Sequence, residues 1–99
     1  GASAHFFVDS NKIVNSVPAN YEAGHCGYDP GGRYYPLSSR NWNSIGIELC
    51  DDNPAGGIYP SSKTIANAVA LTKELMKKYG LEYLHLLKRC IRVLLEMCR

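Results

Sequence analysis

The chain has 99 residues, of which 45% are hydrophobic and 20% are charged, a composition typical of one small globular domain and not of a disordered segment. Eleven basic and nine acidic residues leave a net charge of +2, which is too small to indicate nucleic-acid binding. No apolar run reaches the roughly 18 residues of a membrane span, and the first residues lack a secretory signal pattern.

Two short apolar runs near the N-terminus predict a β-hairpin. Residues 5–9 (HFFVD) and 13–17 (IVNSV) favour strands, and Ser10 and Asn11 between them are typical turn residues. The next segment, 18–40, is rich in Gly, Pro, Tyr and Ser, which indicates a long irregular loop. Such loops often carry function.

The stretch 41–50 reads NWNSIGIELC and predicts a short buried strand from Ser44 to Leu49. Ile45, Ile47 and Leu49 alternate with Gly46 and Glu48. A glutamate near a strand end most often faces solvent, so Glu48 is either a solvated side chain or a group placed for chemistry.

A helix is predicted from about residue 61 to residue 79. Ser61 or Ser62 can cap its N-terminus, and Gly80 is suited to end it. The apolar stripe predicted to face the core comprises Ile65, Val69, Leu71, Thr72, Leu75 and Met76.

The final segment, 81–99, also has apolar residues at three- and four-residue spacings, which predicts a second helix. The apolar positions are Leu84, Leu87, Ile91, Leu94 and Leu95. The order hairpin, loop, strand, helix, helix predicts an α/β fold class in which the helices pack on a small sheet.

The four cysteines do not indicate a metal or redox motif. They form no CxxC pair and no zinc-finger spacing, which favours reduced, partly buried thiols, with a disulfide framework as the alternative. They are Cys26, Cys50, Cys90 and Cys98.

Four pieces in this order resemble zinc-dependent N-acetylmuramoyl-L-alanine amidases, the group that includes phage and clostridial endolysins and cell-wall recycling amidases. The pieces are SAHFFVDSNKIVNSVP, GHCG, NSIGIELC and a helix opening with TIANAVALTKEL. The resemblance implies a small mixed β-sheet flanked by helices, amidase-like but incomplete. Residues 1–80 are then the amidase-like catalytic core, and 81–99 is a helical tail of uncertain origin packed on the same domain.

The resemblance also implies an activity, namely hydrolysis of the amide bond between N-acetylmuramic acid and L-alanine in peptidoglycan. In this family a zinc ion assists the reaction, and a carboxylate on the strand matching IGIEL is the general base. Glu48 would therefore take a proton from the attacking water and pass it to the leaving nitrogen. The implied partner is peptidoglycan, with no nucleic acid, and the implied location is extracellular or the cell wall, as a phage lysin or a secreted autolysin.

Three further residues are candidates for substrate binding by the same resemblance. His25 in GHCG corresponds to a histidine beside the family's cleft, with an ordinary loop histidine as the alternative. Asn43 either touches substrate or holds its own loop, and Tyr28 either lines a groove or packs as a lid. His5, at the SAH position, is expected to be packed and hydrogen-bonded rather than to take part in the reaction.

Zinc is expected from the family, but its usual ligands are not identifiable. The family supplies one histidine from a strand that would precede Gly1, as if the chain were truncated, and two ligands from a stretch resembling RHxDVTGKxCP after the long helix. Here that region reads LKRCIRVLLEMCR, and the nearby His85 and Cys98 do not fit the motif. Since a zinc site needs three protein ligands, the metal ligands stay unassigned.

Segment 81–99 either has diverged from the family or is the product of a frameshift. The frameshift would explain residues 94–96, because codons for Val-Thr-Gly-Lys give Leu-Leu-Glu when they are read one base later. Two alternatives to an active amidase follow. One is a non-catalytic cell-wall binding module that lacks the metal. The other is an oligomer-forming remnant that associates through an exposed sheet edge or the C-terminal helix.

Overall fold

The structure, a computed structural model, describes residues 4–24, 44–57, 59–87 and 92–97. For residues 81–87 and 92–97 it describes the backbone. These ranges contain five strands and one helix. The elements are β1 (Phe6–Val8), β2 (Ile13–Asn15), β3 (Ser44–Leu49), α1 (Ser62–Tyr79), β4 (Leu81–Leu87) and β5 (Arg92–Met97). Within these ranges no helix has the length and apolarity to cross a bilayer.

The strands form one mixed sheet in the order β2-β1-β3-β5-β4. β1 pairs with β3 in parallel, whereas β1–β2, β3–β5 and β4–β5 are antiparallel. This confirms the predicted α/β class with a small mixed sheet. β3 lies at the centre, and the two sheet edges are β2 and β4.

The N-terminal hairpin forms where the sequence predicts it. β1 and β2 pair with Phe6 opposite Asn15, and the turn between them is closed by Asp9. The Asp9 carboxylate oxygen Oδ1 accepts hydrogen bonds from the backbone N–H groups of Asn11 and Lys12, both at 2.7 Å. A short acidic side chain that bonds the backbone two and three residues ahead favours this tight turn.

Helix α1 begins and ends at the predicted residues. Ser61 is the N-cap, and its side-chain oxygen accepts a hydrogen bond from the Thr64 N–H at 3.2 Å. Gly80 ends the helix with a left-handed backbone at φ 63°, a conformation that glycine adopts without steric cost, and its N–H donates to the Met76 carbonyl.

The core lies between α1 and one face of the sheet. It comprises Phe6, Val8, Ala19, Ile45, Ile47, Leu49, Ala68, Leu71 and Leu75. The prediction that Ile65 and Val69 face the core is wrong, since each is 46% exposed. Thr64 and Ala68 take those places because the helix is rotated so that residues 64, 68, 71 and 75 meet the sheet.

The prediction of a helix over residues 81–99 is also wrong, because residues 81–87 form β4 and residues 92–97 form β5. β5 pairs antiparallel with β3 from Ser44 opposite Glu96 to Glu48 opposite Arg92. A dense apolar segment fits helical and strand spacing alike. The unpaired backbone along β3 needs a hydrogen-bonding partner, and β5 supplies it. The helix through which the C-terminus was expected to associate is therefore not formed at residues 81–87 and 92–97, and α1 is the one helix in the described ranges.

Candidate active site

Glu48 lies on the central strand, on the face of the sheet opposite α1. Ile45, Ile47 and Leu49 are buried against the helix, so the alternating side chain of Glu48 points to the other face. There it is half-buried. In register it stands beside Phe7 of β1, and its backbone partner on β5 is Arg92.

The carboxyl ends of β1 and β3 meet at one edge of the sheet because the two strands are parallel. The Cys50 N–H donates to the Val8 carbonyl at 2.9 Å and closes this edge. Open α/β sheets commonly place their ligand sites beyond the carboxyl ends of parallel strands. Glu48 is the second residue from the end of β3, which places it near this edge.

The thiol of Cys50 is free and exposed at the same edge. Desolvation raises its pKa, and the negative charges of nearby Asp9, Asp52, Asp51 and Glu48 raise it further. A thiol with a raised pKa is protonated at neutral pH and is a poor nucleophile. The expectation of reduced cysteines holds for Cys50, which is exposed rather than partly buried, while Cys26, Cys90 and Cys98 lie outside the described residues.

Asp52 connects three parts of the chain at this edge. One carboxylate oxygen, Oδ1, accepts from the Ser61 N–H at 2.8 Å, and the other, Oδ2, accepts from the Thr64 hydroxyl at 2.7 Å and the Ser10 N–H at 3.2 Å. These hydrogen bonds, with the Ser61 backbone as the largest contribution, lower the pKa of Asp52 from 3.8 to about 2. The carboxylate thus ties the hairpin turn and the start of α1 to the loop after β3.

The role of Asp52 is not indicated by the sequence around it. The donors to its side chain lie 42 residues before it and 9 and 12 residues after it. Capping patterns read only the few residues next to a helix start, so the local sequence carries no signal for this contact.

His5 is fully buried, and backbone groups bind both of its ring nitrogens. Nδ1 accepts from the Gly46 N–H at 3.0 Å, and Nε2 lies 2.7 Å from the Tyr21 carbonyl oxygen. The packed, hydrogen-bonded role predicted for His5 is confirmed. Burial lowers the pKa of His5, and the bond to Tyr21 partly opposes this.

The described residues do not fit a zinc ion. No three His, Cys, Asp or Glu side chains among them come together as a metal would require. Both ring nitrogens of His5 are already occupied by backbone groups, so this histidine is not a ligand. For His85 the structure gives only a backbone position on β4, opposite Leu94 of β5.

Of the predicted site residues, the structure therefore describes Glu48 alone. His25, Tyr28 and Asn43 lie outside the described residues, and their roles stay predictions.

A separate groove of about 380 Å³ lies on the helix side of the sheet. It is lined among others by Phe6, Ala19, Leu71, Glu74 and Tyr79, and Glu48 is not among its residues. Glu48 lies on the opposite face, so this groove is not the cleft in which Glu48 would act.

Comparison with known proteins identifies the family. The family model described as N-acetylmuramoyl-L-alanine amidase matches residues 1–92, up to the first residue of β5. The chain is 37% identical over 82 residues to the N-acetylmuramoyl-L-alanine amidase CwlL of Bacillus licheniformis, covering 81% of this chain and 22% of that protein. It is 30% identical over 78 residues to the N-acetylmuramoyl-L-alanine amidase CwlA of Bacillus subtilis (strain 168), covering 79% of this chain and 26% of that protein.

These matches cover most of this chain but only a part of each relative. The chain spans 22% of CwlL and 26% of CwlA. No solved structure has a significant match to it. Because the family model covers nearly all of the described structure, the chain belongs to the N-acetylmuramoyl-L-alanine amidase family.

Proposed function

We propose that this chain is the catalytic part of a peptidoglycan hydrolase that cleaves the amide bond between N-acetylmuramic acid and L-alanine. The family match over residues 1–92 carries this proposal. The named activity of the similar Bacillus proteins supports it, and so does the half-buried carboxylate on the central strand. Such a protein would act at the cell wall or outside the cell, as a phage lysin or a secreted autolysin.

Glu48 is the proposed general base. It accepts a proton from a water molecule whose oxygen attacks the carbonyl carbon of the amide. When the C–N bond breaks, Glu48 returns this proton to the leaving nitrogen, so the products are a muramic acid carboxylate and the free amino group of L-alanine. A positioned general base typically contributes about 10²- to 10⁴-fold to the rate.

Substrate contacts are proposed for three residues on sequence grounds. His25, Tyr28 and Asn43 match or adjoin the family's cleft motifs, and Asn43 directly precedes the first residue of β3. Zinc remains the expected cofactor of the family, and a three-ligand site would need at least one residue beyond those that the structure describes. When bound, it would polarise the amide carbonyl and activate the water.

The substitution Glu48→Gln tests the proposed base, because glutamine has the same shape and cannot accept the proton. We expect the release of L-alanine amino groups from purified cell walls to fall at least about a hundredfold. The urea midpoint should hardly change. The exposed Glu74, on α1, gives a matched control, and Glu74→Gln should keep full activity. Full activity of Glu48→Gln would remove Glu48 from the mechanism.

A non-catalytic cell-wall binding module is the second candidate. Such a module would keep the cleft of the family but lack the metal. Sedimentation with purified cell walls, together with zinc content per chain, separates the two functions. Retention on the walls without metal and without release of alanine would establish binding alone, whereas stoichiometric zinc with release would establish the hydrolase.

A further inference from the structure

The two ring hydrogen bonds of His5 determine which ring nitrogen carries the proton. The Gly46 N–H can only donate, so Nδ1 must hold a lone pair, and the Tyr21 carbonyl can only accept, so Nε2 must hold the proton. The neutral Nε2–H tautomer alone satisfies both partners. Protonation of Nδ1 would set two donors against each other inside a fully buried site. We call this pair of hydrogen bonds the His5 bridge.

The His5 bridge acts on the strand that carries Glu48. Gly46 lies two residues before Glu48 in β3, and His5 binds both of its backbone polar groups. The Gly46 N–H donates to the ring, and the Gly46 carbonyl accepts from the His5 N–H at 3.0 Å. At the other end, Tyr21 belongs to the loop that leads toward His25 in sequence.

We propose that His5 is a positioning residue of the hydrolytic site, whose neutral ring holds the Glu48 strand to the Tyr21 loop and releases it when the ring is protonated. This inference rests on the proposed function of Glu48. His5 itself is buried and does not touch the reacting atoms. It acts through the backbone of β3, where a misplacement of about 1 Å can cost a hundredfold in rate.

The direction of the pH effect follows from the surroundings of the ring. The hydrogen-bond partners of His5 lie on β2, on β3 and in the loop after β2, and the described titratable groups of these segments are Glu48 on β3 and Tyr21 and Glu22 in the loop. Burial outweighs the Tyr21 bond and holds the pKa of His5 below its usual 6.5. The bridge is therefore intact at neutral pH, and its contribution to stability is complete above pH 6.5 and decreases as the pH falls below that value.

Two substitutions separate the two bonds of the bridge. His5→Asn places an acceptor near the Nδ1 position, facing Gly46, whereas His5→Gln places an amide donor near the Nε2 position, facing Tyr21. We expect His5→Asn to keep cell-wall hydrolysis within about tenfold of the wild type at pH 8. His5→Gln leaves the Gly46 N–H without its acceptor and should lose about a hundredfold. Equal rates of the two variants would overturn the proposal.

The acid limb of the rate profile adds a readout that a purely structural role would not change. In the wild type, protonation of His5 breaks the bridge, so the rate should show an additional fall of up to about a hundredfold as the pH is lowered below 6.5. In His5→Asn there is no ring to protonate, so this additional fall should be absent and the acid limb should be less steep. The same slope in both proteins would refute the role of His5.

NMR of the wild-type protein tests the bridge without relying on activity or on the folding of a variant. Ring nitrogen shifts should show a single Nε2–H tautomer at neutral pH. Exchange of the Gly46 amide, corrected for its intrinsic pH dependence, should accelerate as His5 becomes protonated. An Nδ1–H tautomer, or Gly46 exchange that is independent of His5 titration, would overturn the inference. An inactive wild type that shows both NMR signatures would instead refute the proposed function and confine the bridge to holding β3.

Discussion

The orientation of α1 on the sheet predicts very different costs for two truncations in the same helix. Leu75 is 6% exposed and belongs to the core, whereas Val69 is 46% exposed. Leu75→Ala removes three buried carbons at about 0.8 kcal/mol each, and the cavity that remains raises the loss to about 3–5 kcal/mol. Val69→Ala removes two half-exposed carbons, which lowers the free energy of unfolding by about 0.8 kcal/mol in all. The better helix propensity of alanine offsets about 0.5 kcal/mol of this loss.

Urea unfolding followed by circular dichroism measures both free energies of unfolding. We expect the midpoint of Leu75→Ala to fall strongly, with Val69→Ala almost at the wild-type midpoint and the slope unchanged in both. The two positions lie six residues apart on one helix, so both variants keep its length and its caps. Comparable losses for the two variants would show that the helix presents a different face to the sheet and would refute the core described above.

Two further predictions concern the start of α1. Ser61→Ala removes the acceptor for the Thr64 N–H and should lower the free energy of unfolding by about 1 kcal/mol. Ser61→Asn supplies another capping oxygen and should keep most of the wild-type stability. An unchanged urea midpoint for Ser61→Ala would contradict the cap. Asp52→Asn should destabilise the protein at pH 7, because an amide has only one acceptor oxygen for three donors. With a pKa of about 2 in the folded protein and 3.8 as its usual value, the Asp52 carboxylate stabilises the fold above pH 3.8 and this contribution disappears as the pH falls toward 2. The difference between wild type and Asp52→Asn in urea midpoint should therefore shrink across that interval, and a constant difference would exclude the charge as its cause.

The elements that the sequence predicted correctly are those whose turns, ends or alternation depend on residues close together in sequence. Asp9 and the residues after it close the hairpin through bonds that span two or three positions. Ser61 and Gly80 delimit the helix through contacts within one turn. The strand around Glu48 is recognised by its alternation, and its predicted bounds, 44–49, match β3.

The candidate site was predictable only where a family resemblance supplied it. Nothing in the spacing of IGIEL distinguishes a catalytic glutamate from a solvated one, and the sheet position of Glu48 became known from the burial of its neighbours. Asp52 had no local signal because its partners are distant in sequence. His5 could be predicted to be packed, but not to bind Gly46, 41 residues away.

The sequence by itself determined the hairpin, the helix bounds, the buried strand and the family, because each depends on contacts between near neighbours or on a motif read in order. Tertiary structure decided which side of α1 is buried and that residues 81–87 and 92–97 are strands. In both cases several arrangements satisfy the local pattern equally well. The choice between them depends on which backbone and apolar surfaces of β3 still need a partner, and only the assembled sheet specifies that.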